Sequence, residues 1–321
     1  MTQPMYMRWI IVGGLFLGAC SAQASPQPAD AAPTSSWEDL SRLTESLYQQ
    51  GQLDDAAHVA QQALDVAERS FAPSDPRVAL ALSQVAGLSA RQGRFQEAET
   101  LFLRALAIDE KALGPTHPDL TTDLSNLAAV YHAQGKYLMA EALLRRALTA
   151  LSKHVGNDSI ELLFFLETLG ELEQAQGNYR DAETLFLRAV HIADEAVGSD
   201  HPLIAKPLDG LAGLYHEMGR FQEAEQLYQR VLTIAEQHSE NKRQLVAGPL
   251  NNLALLYQAQ GDFGRAEEHF RRALSMLTDA WDQPELVMTL ENYATLLRQV
   301  GKQDEAQVFE ARARELRSAQ L

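Results

Sequence analysis

A glycine returns along this chain at a fixed interval: Gly51, Gly93, Gly135, Gly177, Gly219, Gly261 and Gly301, spaced 42 residues five times and then 40. Other positions keep the same step. Five residues after each glycine stands an alanine, from Ala56 and Ala98 through to Ala306. Nine after comes a large apolar residue in most copies: Phe102, Leu144, Phe186, Tyr228 and Phe270. Twelve after comes Ala63, Ala105, Ala147, Ala189, Val231, Ala273 or Ala313, and eight before comes Leu43, Val85, Leu127, Leu169, Leu211, Leu253 or Tyr293. So many coincident registers leave stacked copies of one short unit as the fold to expect.

The spacing says what the unit is. Residues 8, 7 and 4 before the glycine, such as Leu253, Ala254 and Tyr257, lie on one stripe of a helix. The glycine ends that helix, where a left-handed residue without a Cβ is wanted. A second helix follows, with its +5, +9 and +12 residues on one stripe. Alanine lets the two axes approach, and the aromatic fills the gap toward the next pair. One pair cannot bury both stripes, so the pairs stack into a solenoid.

Leucine, small residue, tyrosine, alanine, aromatic and alanine at these registers resemble the tetratricopeptide repeat (TPR). The 42-residue period, stretches such as NNLALLYQAQGDFGRAEEHFRRAL and linkers such as GPTHPDL and GSDHPLI are similar to its kinesin-light-chain subclass. The resemblance implies an all-α, right-handed superhelical solenoid of about seven helix pairs, over residues 37–321 with a C-terminal capping helix. Three copies depart from the pattern. Ala60 replaces the aromatic in the first, which predicts looser packing there, and Glu173 replaces the tyrosine in the fourth. Glu310 stands at the aromatic register of the last copy, the polar outer face that a terminal cap requires.

The net charge is −16, and Arg8 is the lone charged side chain of the first 19 residues, so removal of that segment leaves −17. Such a chain gains nothing from phosphate neutralisation, which argues against nucleic acid as a partner, and membrane attachment requires an anchor. The sequence contains no G-x-S-x-G, H-E-x-x-H, P-loop or G-x-G-x-x-G motif, and the repeats account for nearly all of it, so neither an enzyme nor a cofactor site is expected. His117 and His201 occupy matching linkers, and His132 and His216 share a register two copies apart. That placement belongs to the repeat rather than to a metal site.

The one cysteine, Cys20, cannot form an internal disulfide and has no histidine near it before His58. It follows an acid-free start, MTQPMYMR, and an 11-residue apolar run, Trp9 to Ala19, too short to span a bilayer as a helix. Leu17-Gly18-Ala19-Cys20 resembles the lipobox of bacterial lipoprotein precursors. That resemblance implies a signal peptide over 1–19, cleavage before Cys20 and acylation of it. Residues 20–36, proline-dotted and polar, read as a flexible linker. Ser21 in place of aspartate favours the outer membrane's periplasmic face of a bacterial envelope. Ala22-Gln23-Ala24 is also an A-x-A site, whose cleavage before Ser25 would release a soluble periplasmic protein and leave Cys20 unexplained.

In the TPR family the first helix of each pair lines the binding face, at 13, 10, 9, 6, 3 and 2 residues before the glycine. Position −9 carries Asn126, Asn252 and Asn292. By the resemblance these carboxamides would hydrogen-bond the main chain of an extended peptide; an asparagine there can equally be solvated or bonded to the next repeat. Glu167, Glu171, Asp209 and Glu217 fall on the same surface and favour a basic partner segment, or else form an ordinary charged face. At −13, Leu80, Phe164 and Met288 are apolar, for a ligand or for packing. The function expected is a lipid-anchored scaffold or adaptor binding a protein in its groove. The alternative is a soluble periplasmic holdase.

Overall fold

The computed structural model describes residues 36–238, 242–277 and 284–318. The expected leader, Cys20 and the linker up to residue 35 lie outside the described residues. Fourteen α-helices, and no strand, occur among the described residues. They pair as α1 (Trp37–Gln49) with α2 (Leu53–Ser70), α3 (Pro76–Arg91) with α4 (Phe95–Leu113), and α5 (Thr121–Ala133) with α6 (Tyr137–Val155). The series continues with α7 (Leu163–Ala175) and α8 (Tyr179–Val197), α9 (Ala205–Glu217) and α10 (Phe221–His238), α11 (Lys242–Ala259) and α12 (Phe263–Met276), and α13 (Pro284–Gln299) and α14 (Gln303–Ser318). The fold is thus all-α, with seven helix pairs in chain order. The chain divides into two compact units, Met1–Leu172 and Glu173–Leu321.

The periodic glycine does what its register predicts. Gly135 sits at φ 75°, donates its N–H to His132 at 2.9 Å, and lets Lys136 N–H reach back to the Tyr131 carbonyl at 2.8 Å. That pair of bonds is a Schellman cap, which satisfies two carbonyls the helix end would otherwise strand. A second glycine series closes the second helices. Gly114, Gly156 and Gly198 follow α4, α6 and α8 at φ 90–92° with ψ between 154° and 167°, a region only glycine occupies without strain. The linker histidines then start the next pair. His117 and His201 each accept a backbone N–H two residues on, from Asp119 and Leu203, at 3.2 Å through Nδ1.

Each unit has its own core. In the first, Trp37, Ala56, Ala60, Ala63, Val78 and Leu82 belong to one buried cluster. Ala60 is fully buried there, and Trp37, in edge contact with Phe71 at a ring distance of 5.8 Å, brings an aromatic into the same cluster. In the second unit Phe186, Tyr228 and Phe270 are buried against Leu211, Ala254 and Tyr293. Burial of each such ring stabilises by about 1.5–3 kcal/mol, so the +9 register is the main packing element of the stack. At the C-terminal end Glu310 accepts two hydrogen bonds from Arg298, 2.6 and 2.9 Å, and keeps that register polar.

Candidate functional site

Apart from Gly210, the first helices carry polar side chains at positions −10 and −9, and three pairs of them bond across the repeats. Gln84 Nε2 donates to Ser41 Oγ at 2.8 Å. Asn252 Nδ2 donates to Asp209 Oδ1 at 2.8 Å, and Asn292 Nδ2 to Asn251 Oδ1 at 3.0 Å. Each link joins the −9 residue of one copy to the −10 residue of the copy before. The asparagines at 252 and 292 therefore spend an amide donor on the neighbouring repeat, the second of the two roles open to them. Asn292 is 7% exposed and Asn126 5%, and the Asn126 carbonyl oxygen finds no hydrogen-bond partner among the described residues. Asn252 is half-buried.

The acids divide between the units: Glu167 and Glu171 in the first, Asp209 and Glu217 in the second. Glu167 is 5% exposed, which removes it from direct reach of a partner in this packing. Glu171 and Asp209 are half-buried and Glu217 is exposed. Burial raises the Asp209 carboxyl to about 6, with the Asn252 amide working the other way. Of the apolar −13 residues, Leu80 packs on the first-unit core, whereas Phe164 is 42% exposed. Phe164, Ser125, His132 and Thr168 line a cavity of about 20 Å³, room for one water. His132 meets the Tyr137 ring at a tilt, 5.3 Å between centroids, and His216 meets Phe221 edge-on at 5.9 Å; burial lowers both pKa values, so both rings are neutral at pH 7.

Two further ladders are absent from the sequence reading. Glu183 accepts from the Tyr215 hydroxyl at 2.9 Å and from Arg220 at 2.8 Å, while the Arg220 guanidinium lies 3.8 Å from the Tyr215 ring centroid. In the first unit Glu99 holds Lys136 at 2.7 Å, with Tyr131 under the ammonium at 5.2 Å. Tyrosine and base are the residues the Schellman cap brings together, so the cap's usual apolar contact becomes a cation–π contact here. Glu173 replaces that tyrosine in the fourth copy, and accepts from Asn178 Nδ2 at 2.8 Å within its own turn. On the second helices, Arg104 pairs with Glu68 and Arg146 with Glu110, both at 2.6 Å, and Arg272 pairs with Glu236. The signals were in the sequence: glutamate at +6 in five copies and arginine at +11 in six.

The tetratricopeptide repeat model matches residues 77–153, 162–237 and 245–319, and a second model of the same repeat matches 40–77. This chain belongs to the tetratricopeptide repeat family. A kinesin light chain from Podosopora anserina with nearly identical TPR-like repeats is 25% identical, with a TM-score of 0.58 over 63% of this chain and 97% of that one. BtubC (BKLC) from P. vanneervenii is 23% identical, with a TM-score of 0.55 over 72% and 91%. A Rap protein solved in complex with competence and sporulation factor is 17% identical, with a TM-score of 0.57 over 88% and 75%. The last two likenesses speak for the fold alone. No curated protein matches the chain. Proteins of this repeat family act by protein–protein contact, and the surface described above supplies hydrogen-bonding and charged groups suited to that.

Proposed function

We propose that this TPR protein is a non-catalytic scaffold or adaptor, anchored through Cys20 in a bacterial envelope, that holds a protein segment on its first-helix face. The observation that carries the reading is the combination of a repeat match running from residue 40 to 319 with Leu17-Gly18-Ala19-Cys20 ahead of it. An outer-membrane position facing the periplasm follows from Ser21 after the cysteine. The contact residues proposed for the partner are Phe164 and Glu171 in the first unit and Asp209, Glu217 and Asn252 in the second. Asn126, Asn292 and Glu167 lie beneath that surface and reach a partner only if a neighbour moves. Excess carboxylate on the face favours a basic segment, and binding should weaken with salt.

The anchor is tested by intact mass and membrane fractionation of the wild type and Cys20→Ser in a bacterial host. The expected result is a mature chain beginning at an acylated Cys20, lost from membranes in the variant, with partner crosslinking lost alongside. A soluble chain beginning at Ser25 and indifferent to the substitution would favour the holdase, whose cleavage site is Ala22-Gln23-Ala24.

A further inference from the structure

The helix α6 differs from the other second helices on its solvent face. Leu138 is 75% exposed and Met139 46%. In the other copies the same two registers hold polar or charged residues or glycine, among them Asp54 and Asp55, Gln96 and Glu97, and Asp304 and Glu305. At 100° per residue, Leu138, Met139, Arg145, Thr149 and Lys153 fall within one third of the helix circumference. All five are exposed. The stripe runs apolar to basic over about 22 Å at 1.5 Å per residue. No acid stands in the first turn of α6, and Lys153 and His154 close its last turn.

At the basic end a cavity of about 250 Å³ opens between the linker residues Pro115 and Thr116 and the side chains of Arg145, Arg146, Thr149 and Lys153. Two acids stand beside it. Glu141 pairs with Arg145 and Glu110 with Arg146, each at 2.6 Å, and Arg146 also donates to the Pro115 carbonyl at 2.6 Å. Each acid is matched by an arginine, so Lys153, which forms no ion pair among the described residues, is the excess cation. At roughly 30 Å³ per water, the cavity has room for a phosphate group with part of its hydration.

The geometry points to this face of α6 as a membrane-contact stripe for anionic phospholipid. Headgroup phosphates sit at Arg145, Arg146, Thr116 and Lys153, and Leu138 and Met139 enter the acyl boundary. Exposed apolar side chains and basic side chains thus share one face of α6, and apolar burial together with attraction to anionic headgroups is what holds a helix at a bilayer interface. Leu138 and Met139 stand out from the surface, and the described cavity lies at the other end of the stripe. A fluid acyl layer accepts such side chains as they are, whereas a protein partner must bring a matching cavity of its own. The rest of this acidic chain is repelled by anionic lipid, so the stripe sets which face of the first unit meets it. This inference goes beyond the scaffold reading, does not require acylation of Cys20, and departs from the expectation that so acidic a chain meets a membrane through an anchor alone.

The test is vesicle co-sedimentation of the full chain with Cys20→Ser, on phosphatidylcholine alone and with phosphatidylglycerol added, at low salt. Any contribution of the apolar run at 9–19 to neutral vesicles is present in every variant and cancels. Wild-type side chains should partition more strongly onto the anionic vesicles. Arg145→Gln with Lys153→Gln should cut that partition roughly 30-fold, at about 1 kcal/mol per charge near an anionic surface. Leu138→Ser with Met139→Ser should cut it at least 10-fold. These positions are exposed, and thermal melting checks that the variants stay folded. Equal partition on both vesicles, or a preference that survives either pair, overturns the proposal. So does millimolar glycerol phosphate shielding Lys153 from amine acylation with no vesicle preference, which would make the cavity a soluble-anion site, or an acidic peptide binding there instead of vesicles.

Discussion

Asn252 donates its side-chain amide to Asp209, 2.8 Å away and one repeat earlier. The position that resembles a ligand-reading asparagine is thus also a rivet between helices α9 and α11. Loss of a hydrogen bond to a charged acceptor costs about 1.5–3 kcal/mol. Asn252→Ala should therefore lower the urea midpoint as well as weaken any partner. An unchanged midpoint would show that the bond is not a stabilising one.

The same pair sets a pH dependence. Burial raises the Asp209 carboxyl to about 6, above the ordinary 3.8. The folded chain then binds that proton more tightly than the unfolded chain, so stability is full below about pH 4, falls as pH rises to about 6, and is level beyond. Asp209→Asn keeps an oxygen for Asn252 and removes the buried charge. It should match the wild type at pH 4 and exceed it at pH 8 by on the order of 1–3 kcal/mol. Urea unfolding at the two pH values decides it; an equal difference at both would sink the assignment.

The Glu183, Tyr215 and Arg220 cluster joins two repeats through one carboxylate. Hydrogen bonds from Arg220 and Tyr215 hold the Glu183 carboxyl below its usual range, so its contribution is present above about pH 4.5 and lost as pH falls further. A double-mutant cycle of Glu183→Gln and Arg220→Gln should give a coupling of about 0.5–1.5 kcal/mol in thermal melts at pH 7, shrinking at high salt. Additive single changes would mean the contact contributes nothing net.

Much of this fold was legible because the hydrophobic period and the glycine period are one signal. Stripes at −8, −7, −4, +5, +9 and +12 name the buried residues, and the described core holds Phe102, Phe186, Tyr228 and Phe270 at the register read for them. The polar ladders were less legible. A surface-compatible residue such as Glu183 or Arg146 shows its partner only once the stacking offset is known, because the pairs lie 37 or 36 residues apart in different repeats. The candidate site was half legible for the same reason. Spacing placed Asn126, Asn292 and Glu167 on the first helix, but it does not tell that all three side chains are buried.

At Gly210 two helices of the second unit pack closely. This glycine occupies the −9 register that holds asparagine in three other copies, and a Cβ there would lie 2.5 Å from the Phe186 ring. Phe186 is 1% exposed, so its ring must shift within the core to admit a methyl group. Gly210→Ala should destabilise by about 1–3 kcal/mol despite its better helix propensity. Recovery in Gly210→Ala with Phe186→Leu would confirm the clash as the cause, and a stabilised single variant would refute it.

Asp123 and Asp109 bring two carboxyl groups together in the first unit. Asp123 lies on α5 and is 9% exposed; Asp109 faces it from α4, and Ser83 Oγ on α3 donates to Asp123 at 3.4 Å. Burial raises Asp123 to about 7, the Asp109 charge adds to the rise, and Asp109 is itself raised by burial. Two carboxylates in one site share a proton before both ionise, so they titrate as a pair. The folded chain again holds the proton more tightly, so stability declines as pH climbs from about 4 to about 7. Asp109→Asn should raise the urea midpoint at pH 8 and leave it nearly unchanged at pH 4. Asp123→Asn should do the same, and the double variant should gain less than the sum because either change alone removes the repulsion. Additive gains at pH 8 would show two independent buried acids rather than a coupled pair.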